Sequence, residues 1–223
     1  MSSTNRSKTR EDHIADYYVT PLKDVELFLK EFNKRINLDW NNAKIVDCCA
    51  GGNAEVIDEN GRVIDVEHSM SYPIAINNVF GDVHINTYDI RKDSFAEFKQ
   101  DYLTTKLDYE PNIIITNPPF NIAISVIEKA LSDVKEDGYV IVLLRLNFFG
   151  SKERKPFFDK YMPEWCFVHH IRIGFLDKKD SDGYVIIDDK TGLPKRGNTD
   201  SIEYAHFVFK KGYKPDFTKL VII

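Results

Sequence analysis

Residues 112–124 read NIIITNPPFNIAI. An apolar run ends in Asn117-Pro118-Pro119-Phe120, and a second apolar run follows at once. Neither proline has an N–H to donate, each fixes its own φ at about −65°, and each pushes the preceding residue into extended backbone. What remains is a rigid turn rich in acceptors: the Asn117 side-chain carbonyl and the backbone carbonyls around it, with the flat ring of Phe120 alongside. A planar molecule with an exocyclic amino group fits such a turn. Its N–H hydrogens meet two acceptors, and its ring lies on Phe120. The plain alternative is a proline turn that only joins a strand to a helix. Other stretches also hold polar groups at the ends of apolar segments. IVDCCAGGN (45–53) runs into Asp47 and a Gly turn, INTYDI (85–90) closes on Asp89, DYYVTP (16–21) precedes a helix, and Asp101-Tyr102-Leu103 follows a short polar segment.

The elements that must position these residues are legible from periodicity. In TPLKDVELFLKEFNKR, Thr20 is a candidate N-cap with Pro21 at the first helical position, and Leu22, Val25, Phe28, Leu29 and Phe32 fall on one face. A short helix is expected around 71–79, and another in DSFAEFKQDYL capped by Asp93. PNIIIT and YVIVLL are buried strands. Between them IAISVIEKALSDVKEDG forms a helix, with Ala123, Val126, Ile127, Ala130, Leu131 and Val134 on one face and Gly138 as its C′ residue. FVHHIRIGF and YAHFVFKKG are two long final strands. The polar insertion between them, 176–200, holds a candidate hairpin, YVIIDDKTGLPK. Continuous apolar strands alternating with amphipathic helices imply a mostly parallel α/β sheet covered on both faces. Ligands of such sheets sit beyond the carboxyl ends of the strands, where Asp47, Asp89 and Asn117 lie.

TNPPF resembles the catalytic motif of the S-adenosylmethionine-dependent amino-methyltransferases, in particular the N6-adenine DNA methyltransferases, which carry Asp/Asn/Ser-Pro-Pro-Tyr/Phe/Trp. The resemblance runs from Tyr17 to about Lys211, with the motifs in the family's order. It implies a class I (Rossmann-like) fold: a mostly parallel seven-stranded sheet with an antiparallel last strand, here EYAHFVF. It implies S-adenosylmethionine as cofactor and Asn117, Pro118, Pro119 and Phe120 as the catalytic turn acting on a flipped-out adenine in DNA. Tyr18, Thr20 and Pro21 would belong to an N-terminal cofactor element, with Thr20 reaching the methionine carboxylate. Asp47, Ala50, Gly51 and Asn53 would form the Gly turn. Asp89 would bind the ribose hydroxyls, Asp101 the cofactor's adenine amino group, and Tyr102 would pack on that ring. Cys48 stands where the family often has Pro, and Asn53 where it often has Gly; Asn tolerates positive φ. Asp65 and Glu67, in VIDVEH, compete for the ribose. Asp89 is preferred because it ends the better strand, which makes 55–70 an inserted loop near the cofactor.

The chain has 223 residues and a net charge of −5, which suits one domain and argues against coating nucleic acid by bulk charge. Contacts to DNA must be local. Arg145, Lys152, Arg154 and Lys155 outnumber Glu153 in RLNFFGSKERKPFF, interleaved with Phe148, Phe149, Phe157 and Phe158. Such a loop grips phosphates and wedges bases, or else is a solvated loop whose phenylalanines enter the core. The insertion sets six aspartates against its basic residues, so charge alone does not make it a DNA-binding face. Adjacent His169 and His170 point to opposite faces of a strand, so they do not share a metal, and no metal is expected. Cys48, Cys49 and Cys166 read as reduced thiols in a cytoplasmic setting. Residues 1–13 have no apolar segment and read as a disordered leader, and no run is long enough to span a membrane. The small size suits a viral or mobile-element form, any restriction partner would be a separate chain, and a homodimer is compatible with the sequence. The competing readings are methylation of adenine or guanine in RNA or of a protein glutamine, and a catalytically silent binding subunit of the same fold.

Overall fold

The structure is a computed structural model and describes residues 19–175, 177–197 and 201–223. Among the described residues, ten strands and four α-helices follow in chain order: α1 (Leu22–Asn33), β1 (Ile45–Asp47), β2 (Val56–Ile57), β3 (Val63–Asp65), α2 (Ser71–Phe80), β4 (Ile85–Asp89), β5 (Phe98–Lys99), β6 (Ile113–Thr116), α3 (Ala123–Asp133), β7 (Tyr139–Arg145), α4 (Lys155–Lys160), β8 (Trp165–Val168), β9 (Tyr204–Lys210) and β10 (Lys219–Ile222). Eight of the strands form one sheet in the order β10-β8-β9-β7-β6-β1-β4-β5, and β2 pairs with β3 alone. Every pairing in the large sheet is parallel except those of β9 with β7 and β8. The carboxyl ends of β1, β4, β5, β6 and β7 therefore share one edge.

The alternation of each strand divides its side chains between two cores. Val46, Ile114, Val140 and Val142 meet α3 on one face; Ile45, Ile113, Ile115 and Ile141 meet α1 and α2 on the other. In α1, Val25, Phe28, Leu29 and Phe32 are wholly buried, as their spacing requires, whereas Leu22, expected on the same face, is exposed at the first turn. Each such buried side chain contributes about 1.5–3 kcal/mol.

Several expectations are corrected. The N-cap of α1 is Pro21, one residue later than expected, so Thr20 lies before the helix with its side chain free for another use. DSFAEFKQDYL is not helical. The Phe95 N–H is bound to the Gly51 carbonyl and the Glu97 N–H to Thr87 Oγ1, and Phe98 stacks on Tyr88, so the segment is drawn into the sheet edge as β5. Helix α3 ends at Asp133, and the Lys135 N–H instead meets the Pro111 carbonyl. FVHHIRIGF stops being strand at Val168, because pairing with β9 ends at Ala205. The eighth strand, β10, was not anticipated. It is an edge strand whose Leu220 and Ile222 face outward, so it lacks a buried apolar signature. The insertion is an irregular hairpin held by isolated bridges, Lys179 to Val185 and Ile187 to Pro194. Among the described residues, no helix is long and apolar enough to cross a membrane.

The histidine pair behaves as the sequence suggested: His169 turns inward and His170 outward. Inside, a polar chain crosses the core. His169 Nε2 lies 3.0 Å from His206 Nδ1, and His206 Nε2 lies 3.0 Å from the Tyr72 hydroxyl. Phe28 stacks on the His206 ring at 3.9 Å. Burial, then the neighbouring histidine, lowers both imidazoles, His169 to about 4. Their neutral forms therefore stabilise the fold fully above about pH 6.5, and this contribution is lost as pH falls towards 4. We expect stability measured by urea unfolding to lose up to about 1.4 kcal/mol per pH unit for each such proton in this window. His169→Gln, which cannot titrate, should give a shallower loss than the parent. Equal slopes would mean that His169 is not held neutral.

Candidate active site at the carboxyl edge

The edge is organised by Asp47, the last residue of β1. Its carboxylate is fully buried. Oδ1 accepts from Thr116 Oγ1 at 2.7 Å and from the Cys49 N–H at 3.2 Å, while Oδ2 has no partner. Thr116 Oγ1 in turn accepts from the Cys49 N–H at 3.1 Å. Burial pushes the Asp47 carboxyl up to about 7, against the Thr116 and Cys49 hydrogen bonds and with the nearby Asp89 charge adding to the rise. Thr116 immediately precedes Asn117, so one buried hydrogen bond ties the Gly turn after β1 to the Asn-Pro-Pro-Phe turn after β6. Sequence reasoning missed Thr116. Its only signal was a hydroxyl closing a run of isoleucines.

The Gly turn is closed from the neighbouring strand. The Ala50 N–H donates to the Tyr88 carbonyl, and the Gly51 N–H donates to Asp89 Oδ2, at 2.9 and 2.8 Å. Asp89 Oδ1 accepts from the Arg91 N–H at 2.8 Å. Gly51 and Gly52 have φ of 68° and 78°, and a Cβ on Gly52 would fall 2.9 Å from Phe95 Cβ. These two positions thus need glycine. Asn53 does not: it is not among the positive-φ residues and instead bridges to His68, its amide donating to the Val66 carbonyl at 2.9 Å. The expectation of a left-handed Asn53 is corrected, and its role is to anchor the insertion that follows.

That insertion is the β2–β3 hairpin, and it docks on the 177–197 hairpin. Lys179 pairs with Asp65, His68 with Asp177, Arg62 with Asp180, and the Tyr184 hydroxyl donates to Asp58. Asp65 and Glu67 are exposed here, off the large sheet, whereas Asp89 ends the strand beside β1. The positively charged groups of the second hairpin are largely matched by aspartates, as in Arg196–Asp177 and Lys195–Asp188.

The Asn-Pro-Pro-Phe turn lies at the edge as expected. Asn117 Nδ2 donates to Thr20 Oγ1 at 3.0 Å, which joins the segment before α1 to the turn and uses the hydroxyl that does not cap the helix. Pro118 is buried, and Asn117, Pro119 and Phe120 are half-buried. Phe120 lies 6.0 Å from Tyr204, and the Arg145 guanidinium sits 4.8 Å over its ring. Tyr18 lies outside the described residues. Asp101 is half-exposed two residues beyond β5, and its Oδ1 accepts from the Leu103 N–H. Tyr102 is placed differently from expectation. It is 4 % exposed in the core, its hydroxyl donates to Asp133 at 2.7 Å, and Lys129 lies over its ring.

The basic-aromatic loop divides. Phe148 and Phe157 are buried, and with Phe149 and Phe158 they pack around Phe207 and Phe209, so they fill the core and do not wedge bases. Arg154 donates to the Asn147 and Phe148 carbonyls, and Lys155 pairs with Asp159. Lys152 is exposed. Among the described residues, no cluster of His, Cys, Asp and Glu is able to hold a metal ion.

No protein family and no curated protein matches this sequence. Solved structures do. A candidate class I S-adenosylmethionine-dependent methyltransferase from Listeria monocytogenes aligns with a TM-score of 0.57 at 13% identity, over 92% of this chain and 65% of its own. The type IIG restriction endonuclease BpuSI aligns with a TM-score of 0.57 at 12% identity, over 92% of this chain and 27% of its own. A candidate RNA methyltransferase from Pyrococcus horikoshii gives 0.53 at 14% identity and covers 88% of both chains. The match thus spans only part of the Listeria and BpuSI proteins. At these identities the likeness is one of fold: this chain has the mostly parallel α/β fold of the class I S-adenosylmethionine-dependent methyltransferases.

Proposed function

We propose that this protein transfers a methyl group from S-adenosylmethionine to the N6 amino group of adenine in DNA. The observation that carries the reading is the Asn-Pro-Pro-Phe turn at the carboxyl end of β6, fixed from one side by Thr20 and from the other by the Thr116–Asp47 hydrogen bond. The residues at the edge fit the cofactor. Asp47 has an orphaned buried oxygen, and Asp89 lies beside it on the next strand, so the edge favours a cationic ligand. The Gly51-Gly52 turn runs at positive φ with Phe95 packed against Gly52, so it presents backbone to the edge. Asp89 is the ribose acid in this reading, with Thr20 and the Gly turn at the methionine end and Asp101 at the adenine end.

When bound, S-adenosylmethionine supplies an electrophilic methyl group. The chain supplies position and polarity. Asn117 Oδ1 and the Pro118 carbonyl accept the two amino hydrogens of adenine, which draws the nitrogen lone pair out of the ring and aims it. Most of the rate gain comes from such preorganised dipoles and from alignment. The base leaves its duplex to reach the turn, at a cost of a few kcal/mol. Stacking on Phe120 offsets on the order of 1–3 kcal/mol. Lys152 is the exposed cation of the basic loop that remains for a DNA phosphate.

Two outcomes test this. Incubation with labelled S-adenosylmethionine and separate DNA, RNA and protein substrates should place the label in DNA, as N6-methyladenine by nucleoside mass spectrometry. Asn117→Ala should lower turnover about a hundredfold or more, since one preorganised contact contributes roughly 2.7–4 kcal/mol. Label in RNA adenine, in guanine or on glutamine would replace the substrate assignment, and near-normal turnover in Asn117→Ala would refute the role of the turn. The second outcome concerns pH. Burial holds the Asp47 carboxyl at about 7, and a ligand ammonium placed beside it favours the carboxylate, so binding should expel a proton. S-adenosylhomocysteine affinity should rise between pH 6 and 7, by at most about tenfold per unit, and level off above. An affinity flat across this range would place the ligand's ammonium away from Asp47.

A further inference from the structure

Arg145 is the last residue of β7, the strand next to the one that carries the Asn-Pro-Pro-Phe turn. Its guanidinium rests over Phe120, 4.8 Å from the ring centre. Its Nε and Nη2 are shut off from solvent and meet no hydrogen-bond partner. Arg145 as a whole is half-buried, but buried N–H groups of a cation left unmatched are costly, and folded proteins rarely keep them without a ligand or a purpose. The two orphaned donors lie on one edge of the planar guanidinium. That edge is a fork matched to two oxygens of one phosphate or carboxylate.

The surroundings select between bases and anions. Across the ladder from Arg145 stands Tyr204, which neighbours Phe120 at 6.0 Å and Phe175 at 4.7 Å. Leu143 and Ile173 complete this small cluster. Aromatic rings beside a cationic fork suit a nucleobase attached to its phosphate. Adenine has no two adjacent acceptors to fill such a fork; the O6 and N7 of guanine do form such a pair. With an adenine amino group turned to Asn117, the acceptors for Arg145 must come from outside the base.

We propose that Arg145 binds a phosphate adjoining the target base, so that the acceptor is recognised as a nucleotide and not as a bare base or nucleoside. The proposal rests on the reading of the Asn-Pro-Pro-Phe turn as a nucleobase site. The guanidinium rests on the Phe120 ring, so a base stacking on that ring would bring its adjoining phosphate towards Arg145. None of the other basic residues singled out in this loop fills the role: Arg154 and Lys155 are engaged, and Lys152 is a single ammonium on the surface.

The test is calorimetry on the full chain saturated with S-adenosylhomocysteine, titrated with adenosine 3′,5′-bisphosphate and with adenosine. The bisphosphate should bind at least about tenfold more tightly, the effect of a charge-assisted hydrogen bond. Arg145→Gln should erase the difference while leaving S-adenosylhomocysteine affinity unchanged, which also reports that the variant is folded. Arg145→Lys, which keeps the charge and loses the fork, should retain only part of it. The proposal is overturned if the parent binds both probes equally, if the preference persists in Arg145→Gln, or if a glutamate-rich peptide displaces the bisphosphate through Arg145. Bisphosphate preference without methylation of DNA would leave Arg145 in place and remove the DNA-adenine reading. N6-methyladenine formation with no dependence on Arg145 would do the reverse.

Discussion

The hydrogen bond from Thr116 to Asp47 is the constraint on which the working edge depends. It joins the ends of two adjacent parallel strands inside the core, and each strand end leads directly into one of the two turns of the candidate site. Removing the Thr116 hydroxyl would leave Asp47 with the Cys49 N–H as its sole remaining donor, in a site where burial already disfavours the charge. The penalty of an unsatisfied buried acceptor is about 1–3 kcal/mol. The more important loss would be geometric, because the Gly turn and the Asn-Pro-Pro-Phe turn would no longer share a fixed reference.

Around this bond the edge is assembled by contacts of long sequence separation. Asp89 reaches back to the Gly51 N–H, Thr20 meets Asn117, and Asn53 holds an inserted hairpin that is locked in turn to a second insertion more than a hundred residues away. The two insertions neutralise each other's charges, which makes them a brace beside the edge more than an electrostatic lure. The orphaned Asp47 oxygen and Arg145 donors mark the places where the protein has polar capacity that its own fold does not consume.

Much of this was legible in the sequence because strand ends and proline turns leave local marks. The apolar runs at 45–47, 113–116 and 139–145, the Gly turn and the position of Asp89 at a strand end all follow from short-range pattern. What was not legible depends on tertiary partners. Asn53 looked like a left-handed turn residue, but its partner is Val66 across a hairpin. The 93–103 segment looked helical, yet Tyr88, Thr87 and Gly51 draw its backbone to the sheet. Tyr102 looked like a ligand-stacking ring, but its hydroxyl is claimed by Asp133 on α3. The phenylalanines after β7 looked equally suited to wedging bases and to the core, and the core took them because Phe207 and Phe209 face that side.

The claim that unites these features is that Asp89 and the Gly turn it holds form the cofactor site serving the Asn-Pro-Pro-Phe turn. Titration calorimetry of the full chain with S-adenosylhomocysteine tests it most directly, using Asp89→Asn and Asp65→Asn as the discriminating pair. One molecule should bind per chain, with affinity reduced about tenfold or more in Asp89→Asn and unchanged in Asp65→Asn. Absence of binding in the parent, or loss in Asp65→Asn with Asp89→Asn unaffected, would contradict the account.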